Sequence, residues 1–293
     1  MAANFGWFAA IHRKLRVLLV DLDPQFNLSQ YILGARGYEK LIEEDAPTIE
    51  AIFRGSKLPV RSGPLAPPIQ EVVNWEDGSC LHLIPSSLEL SRSMTHAVDR
   101  PHLMHDRLDG VRSRYDLIVI DCPPTESILW TAAYLATDFV FVPVKPDFAS
   151  RIGLSSLVRS IEHFEKPSRS DLVPEIGGII FNDTEETLEH GRARELIAGI
   201  AAQNGWRVFQ NRVSHSHSYP AGARTGKPIF LTDNARSRKK DEFNLVAVEC
   251  LAALFDRRTL DARRTPHPDA TKRRNQAGRR RVPVGPDGWP ILR

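Results

Sequence analysis

Two stretches decide how this chain is read: Arg16-Val-Leu-Leu-Val-Asp-Leu-Asp-Pro-Gln-Phe-Asn-Leu-Ser29 and Tyr115-Asp-Leu-Ile-Val-Ile-Asp-Cys-Pro-Pro-Thr125. Each is a short apolar run that stops abruptly at aspartate. Such a run reads as a strand buried on both faces, with a carboxylate at its C-terminal end. In open α/β sheets ligands bind at that edge. Taken alone, Asp21 and Asp121 are equally compatible with ordinary strand ends that cap the following turns.

Working outward, apolar runs alternate with helical periodicity. Strands are expected at 16–21, 81–85, 114–121, 139–143, 176–181 and 207–210. Helices are expected at 3–12, 28–33, 127–136, 153–164, 187–204 and 241–255, with shorter ones at 48–53 and after Ser87 through Leu88, Leu90 and Met94. Residues 54–70, rich in Pro and Gly, read as an irregular connection. Alternation of this kind predicts a doubly wound, mostly parallel α/β sheet. The expected units are an α/β domain over residues 1–256 and a basic, disordered tail over 257–293, where Arg, Lys, Pro and Gly leave too little apolar surface to offset ordering entropy.

Bulk composition narrows the class. The chain has 293 residues, 42% hydrophobic and 26% charged, with a net charge of +3. That suits a soluble globular domain. Three scattered cysteines, Cys80, Cys122 and Cys250, suggest neither a disulfide framework nor a zinc site. Cys122 reads as a small buried filler. No apolar run reaches membrane-spanning length. His215 and His217 alternate with serines, a pattern open to a metal site or a solvated loop.

The two aspartate-ended stretches resemble those of the ParA/MinD/Soj family of partition ATPases. Further segments fall in the family's order: His82-Leu-Ile-Pro-Ser-Ser-Leu-Glu-Leu90, Phe141-Val-Pro-Val-Lys-Pro146 with Gly153-Leu, and Gly226-Lys-Pro-Ile229. The resemblance implies ATP and Mg2+ as cofactors. It implies that Asp121 holds a magnesium-bound water, that Asp21 supports the magnesium shell or the switch, and that Asp23 orients the attacking water. Asn182 resembles the adenine-contacting position, although it is also compatible with a plain turn residue, and Pro143 lies in the segment that flanks the nucleotide. The resemblance further implies an ATP-dependent homodimer, non-specific DNA binding, a ParB-like activating partner and a cytoplasmic, nucleoid-associated location, with no membrane. Lys and Arg neutralise DNA phosphates, and the candidates are Arg224, Lys227, Arg236, Arg238 and Lys239, with Lys240 and the basic tail adding to them.

One element of the pattern does not occur in the sequence. No G-x-x-x-x-G-K-[ST] loop is found, and only fifteen residues precede Arg16, where a strand, loop and helix need about thirty. Residues 4–10 are similar to the distal part of the family's phosphate-loop helix. The expectation is therefore a sheet lacking its first strand, with a gap beside the strand ending at Asp121 and two unpaired edges. A start codon placed late, a truncated gene or a natural pseudo-ATPase would each produce this. The rival reading from another class is a non-hydrolysing DNA-binding or regulatory module. A MinD-like membrane association would need a C-terminal amphipathic helix, which the Pro- and Gly-rich tail opposes. A nitrogenase-reductase-like cluster would need a cysteine partner for Cys122.

Overall fold

The computed structural model describes residues 1–53, 67–91, 101–123, 127–165, 173–233 and 235–264. Met94 and the tail beyond Arg264 lie outside them. The first helix, α1 (Ala2–Arg13), leads into β1 (Arg16–Asp21). Then come α2 (Asn27–Glu43), α3 (Glu50–Phe53), β2 (Gln70–Asn74), β3 (Cys80–Ile84), α4 (Leu103–Asp109) and β4 (Leu117–Asp121). The second half holds α5 (Ile128–Leu135), β5 (Phe139–Val144), α6 (Phe148–Glu165), β6 (Glu175–Phe181), α7 (Leu188–Gln203), α8 (Ser218–Ala223) and α9 (Ser237–Arg264).

β1 is the spine. It pairs in parallel with β3 on one side and β4 on the other, and β2 joins β3 antiparallel at the far edge. Its alternation is apolar on both faces, as its composition predicts. Val17 and Leu19 pack with Ala9, Ala10, Phe243 and Val246 from α1 and α9. Leu18 and Val20 pack the opposite way against Ile52, Phe53, Met104 and Leu129 from α3, α4 and α5. Side-chain oxygens open two of the helices: Ser127 accepts from Trp130 N–H (3.3 Å) ahead of α5, and Thr187 accepts from His190 N–H (3.1 Å) ahead of α7. Such caps satisfy backbone donors that have no partner within the helix.

β5 and β6 form a separate parallel pair, carried on a core of Val144, Leu154, Ile179, Phe181 and Ile197. Among the described residues β4 pairs only with β1, and β5 only with β6. The expected gap beside the strand ending at Asp121 is thus present. It also corrects the reading of that strand as buried: Leu117 to Asp121 are all half-buried, because β4 has a strand neighbour on one side alone. Two rows of backbone N–H and C=O groups are left facing this gap.

Other differences are local. β2 falls at the end of the expected irregular connection and just beyond it. The expected strand at 207–210 reduces to a single bridge between Ile179 and Val208. α9 begins before Asp241 and continues past Phe255, so the first residues assigned to the disordered tail are helical to Arg264.

The segment before α8 is held by one carboxylate. Glu249 on α9 accepts from Gln210 N–H (2.9 Å), Asn211 N–H (3.0 Å), the Asn211 side-chain amide (2.8 Å) and Arg207 (3.4 Å). Removing an acceptor that serves several donors costs more than the net value of one hydrogen bond. Glu249→Ala is expected to lower unfolding free energy by about 1–3 kcal/mol, and Glu249→Gln by less. Urea denaturation of the two variants measures both values.

Candidate functional site

The candidate site lies at the C-terminal rim of β1 and β4. Asp21 and Asp121 are register partners across the parallel ladder, so the two carboxylates leave the sheet side by side. The Leu22 N–H donates to the Asp121 carbonyl (2.8 Å), which extends the pairing into the loop that carries Asp23.

Asp21 is fully buried. Its Oδ2 accepts from both Ser29 N–H (2.7 Å) and Ser29 Oγ–H (2.6 Å), and its Oδ1 accepts from Asp23 N–H (3.2 Å). Ser29 sits in the first turn of α2, so Asp21 caps that helix from the end of the strand. The chain reaches this geometry through a left-handed residue, Phe26 (φ 48°), directly before α2. Ser29 Oγ in turn accepts from Ser86 N–H (2.8 Å), and Ser86 Oγ donates to the Asp23 carbonyl (2.8 Å). The rim of β1, the start of α2 and the end of β3 are locked in one network.

Desolvation pushes the Asp21 carboxyl up to about 7, against the lowering effect of its Ser29 and Asp23 donors and with a further push from Asp121. Asp121 is only half-buried as a residue, yet its carboxyl is also raised, first by desolvation and then by Asp23, with the Met1 amino group acting against the shift. No Lys or Arg contributes to the shift of either carboxyl among the described residues. Asp23 is half-buried, and its Oδ1 accepts from Gln25 N–H (2.9 Å), a tight Asx turn at Asp23-Pro24.

The remaining expected positions lie on other edges. Asn182 follows β6, and its N–H donates to the Val144 carbonyl (2.9 Å), tying it to the end of β5. The next residue, Asp183, has φ 53° and is clamped by Lys145 (2.8 Å) and His215 Nδ1 (2.6 Å). Pro143 is exposed on β5. Val144 directs its carbonyl to the β6 side, so Pro143, one residue earlier, faces the gap, where its lack of an N–H costs no ladder bond. The rim of β5 and β6 thus forms a second group of residues, apart from the Asp21, Asp23 and Asp121 group. Among the described residues no three His, Cys, Asp or Glu side chains gather as a metal cage. His215 instead pairs with Asp183. Cys122 is exposed, which corrects its reading as a buried filler: it lies past the end of β4, whose one strand partner among the described residues is β1.

Among the basic candidates, Arg224, Lys227, Arg236 and Arg238 are exposed and Lys239 is half-buried. Lys227 pairs with Asp233 (3.6 Å), Arg238 with Glu242 (3.2 Å), and Lys239 with Glu242 (3.6 Å) and Ser214. Ser29, Ser86, Lys145 and Asp183 carry much of the local geometry and were not singled out from the sequence. All lie inside or beside the quoted motifs, which is the one signal that pointed toward them.

The sequence pattern of the AAA domain family AAA_31 matches residues 3–173, more than half of the chain. The chain belongs to the ParA/MinD/Soj-type family. Its relatives include the chromosome-partitioning ATPase Soj of Treponema pallidum, 29% identical over 84% of this chain and 90% of that protein. ParA of Caulobacter vibrioides is 28% identical over 74% of this chain and 76% of its own. Among solved structures, the McdA–ATP complex from Cyanothece superposes with a TM-score of 0.69 at 20% identity, over 86% of this chain and 90% of that one. MinD with Mg-ADP from Pyrococcus horikoshii gives 0.57 at 14% identity, over 84% and 87%. The doubly wound fold of the family is thereby established for this chain. No helix among the described residues is long and apolar enough to cross a membrane.

Proposed function

We propose that this chain is a partition-type switch: a DNA-binding homodimer governed by ATP and Mg2+ and released by a ParB-like activating partner, acting in the cytoplasm at the nucleoid. The carrying observation is the register of Asp21 with Asp121 and the loop that sets Asp23 immediately beyond them. Two adjacent desolvated carboxyls with no cationic side chain contributing suit a divalent cation, which takes carboxylate help while keeping several waters. In this reading Asp121 would hold a magnesium-bound water, Asp21 would stay engaged with Ser29 and support the magnesium shell or the switch loop, and Asp23 would orient the attacking water. When bound, the cation supplies neutralisation of phosphate charge. Asn182 and Pro143, at the β5–β6 rim, are proposed to flank the nucleotide base.

The phosphate side does not fit equally well. Residues 1–293 contain no glycine-rich lysine loop, and no Lys or Arg contributes to the shift of either carboxyl among the described residues. We therefore expect residues 1–293 by themselves to turn over no ATP. A second reading is a non-hydrolysing DNA-binding or regulatory pseudo-ATPase, favoured by the absence of any Lys or Arg among the causes of either carboxyl's shift in the described residues.

DNA binding is assigned to Arg224, Lys227, Arg236, Arg238 and Lys239. The first turn of α9 contains no acidic residue; Arg238 and Lys239 lie within it and Arg236 directly before it. Cations at a helix N-terminus oppose the macrodipole by about 0.3–1 kcal/mol each. A first turn kept basic at that cost supports an anionic partner. The test is anisotropy of a labelled duplex across a salt series. Removing Arg224, Arg236 and Arg238 together is expected to flatten the log–log salt slope by about 3 per subunit, near 0.9 for each phosphate that is no longer neutralised. An unchanged slope would remove this surface from the proposal. An effect of ATP on affinity separates the switch from the pseudo-ATPase.

A further inference from the structure

The geometry points to Tyr31 as a positioning residue that ties the basic loop at 222–229 to the carboxylate rim; its functional meaning rests on the reading above. α2 consists of two pieces. Gly34 lies inside it at φ 68° and ψ 167°, outside the helical region, so residues 27–33 form a short segment with a hinge at its end. The start of that segment is clamped at the rim, where Asp21 takes both Ser29 donors and Ser29 Oγ takes the Ser86 N–H.

Two residues further on, the segment holds the loop. The Tyr31 hydroxyl donates to the Lys227 carbonyl (2.9 Å) and accepts from the Asn4 side-chain amide (3.2 Å). Asn4, buried in α1, uses its Oδ1 to accept from Ile229 N–H (2.6 Å). Tyr31 and Asn4 thus grip Lys227-Pro228-Ile229 at both ends. The loop can close this tightly because position 222 is glycine: a Cβ there would lie 2.5 Å from the Lys227 carbonyl oxygen and 3.3 Å from the Tyr31 hydroxyl. Arg224 and Lys227 project from the gripped backbone into solvent.

The 27–33 segment therefore acts as a lever. One end is fixed to Asp21, the other turns at Gly34, and the Tyr31 hydroxyl is the hydrogen bond that carries its position to the backbone presenting Arg224 and Lys227, beside the close approach of Gly226 to the Tyr31 and Ile32 carbonyls. A rearrangement of the Asp21–Ser29 clamp moves the loop through Tyr31. Removing the hydroxyl leaves ring packing and the Gly226 approach in place and cuts the hydrogen-bonded connection.

Hydrogen exchange read by mass spectrometry on the full chain tests this without nucleotide or DNA. Ser29→Ala opens the clamp and is expected to speed exchange over 226–231 several-fold. In a Tyr31→Phe background the same Ser29→Ala change is expected to leave 226–231 unaltered while still loosening 27–33. Asp21→Ala removes the acceptor of both Ser29 donors, opens the clamp by a second route and must give the same pattern. Lys227→Ala keeps the carbonyl that Tyr31 uses, so coupling is expected to persist while DNA affinity falls. Equal speeding of 226–231 by Ser29→Ala with and without Tyr31→Phe overturns the proposal. If coupling holds and Lys227→Ala leaves DNA affinity unchanged, the DNA-binding reading fails and the lever stands.

Discussion

Between pH 4.5 and pH 7.5 the folded protein is expected to lose stability relative to an Asp21→Asn variant. The sign follows from the proton balance. An unfolded aspartate ionises near 3.8, whereas Asp21 in the fold keeps its proton up to about 7. Across that window the native state holds more protons than the unfolded state, so stability is fully present below the lower value and drains away as pH rises through the upper one. A gap of roughly three units corresponds to roughly 4 kcal/mol. The raised Asp121 carboxyl acts in the same direction in both proteins and so drops out of the comparison. Asparagine cannot ionise and removes the Asp21 contribution. It also presents an amide to the Asp23 N–H, leaving one donor unpaired at about 1 kcal/mol. The variant therefore starts slightly below the wild type at low pH and rises above it near neutrality. Carboxylates held low, such as Asp116 hydrogen-bonded to Arg16, act below the unfolded value and leave this window alone. Urea unfolding at four pH values gives the two curves. Parallel curves would mean that Asp21 titrates like a solvated carboxylate and that the rim is wetter than its burial implies.

The same residue shows what the sequence could and could not reveal. That a carboxylate ends β1 was legible, because a strand buried on both faces has few reasons to stop at aspartate. Which atoms it engages was not. Its bonds to Ser29 span eight positions and depend on one left-handed residue, Phe26, which no apolar pattern predicts. The far half of α2 was hidden for a related reason: Gly34 reads as a helix breaker, and it does break the helix, but the chain resumes beyond it. β2 escaped notice because Gln70–Asn74 is an edge strand with polar residues and a register shift between Glu71 and Val73. The segment at 207–210 has strand composition, yet Phe209 and its neighbours make too few bonds to β6 to form a ladder. The partial exposure of β4 was not legible in its composition, which matches that of β1; it follows from β4 pairing with β1 alone among the described residues.

Fusing a strand and a K-G-G-x-G-K-[ST]-like loop ahead of Met1 is expected to convert a chain with background ATP turnover into a measurable ATPase. The carboxylate rim already has its register, its buried clamp and Asp23 on the adjoining loop. Among the described residues the one positive charge that acts on its carboxyls is the Met1 amino group, which desolvation holds below its ordinary pKa although Asp121 pulls it upward. A glycine-rich loop at that end of α1 would add backbone donors and a lysine where phosphates are held. The added strand also has a place to pair, since β4 and β5 each lack a second neighbour among the described residues while Arg112 and Asp138 (3.6 Å) link the starts of the two strands. Pairing both edges at a net of about 1 kcal/mol per hydrogen bond is expected to raise the thermal midpoint by several degrees as well. Within the fused chain, Asp23→Ala is expected to cut turnover by roughly 10²–10⁴ without lowering the midpoint, as removal of a water-orienting carboxylate should. A fused chain that folds, binds ATP and hydrolyses it equally well after Asp23→Ala would show that the loop beyond β1 is not the chemical switch, and the assignment of Asp23 would fall with it.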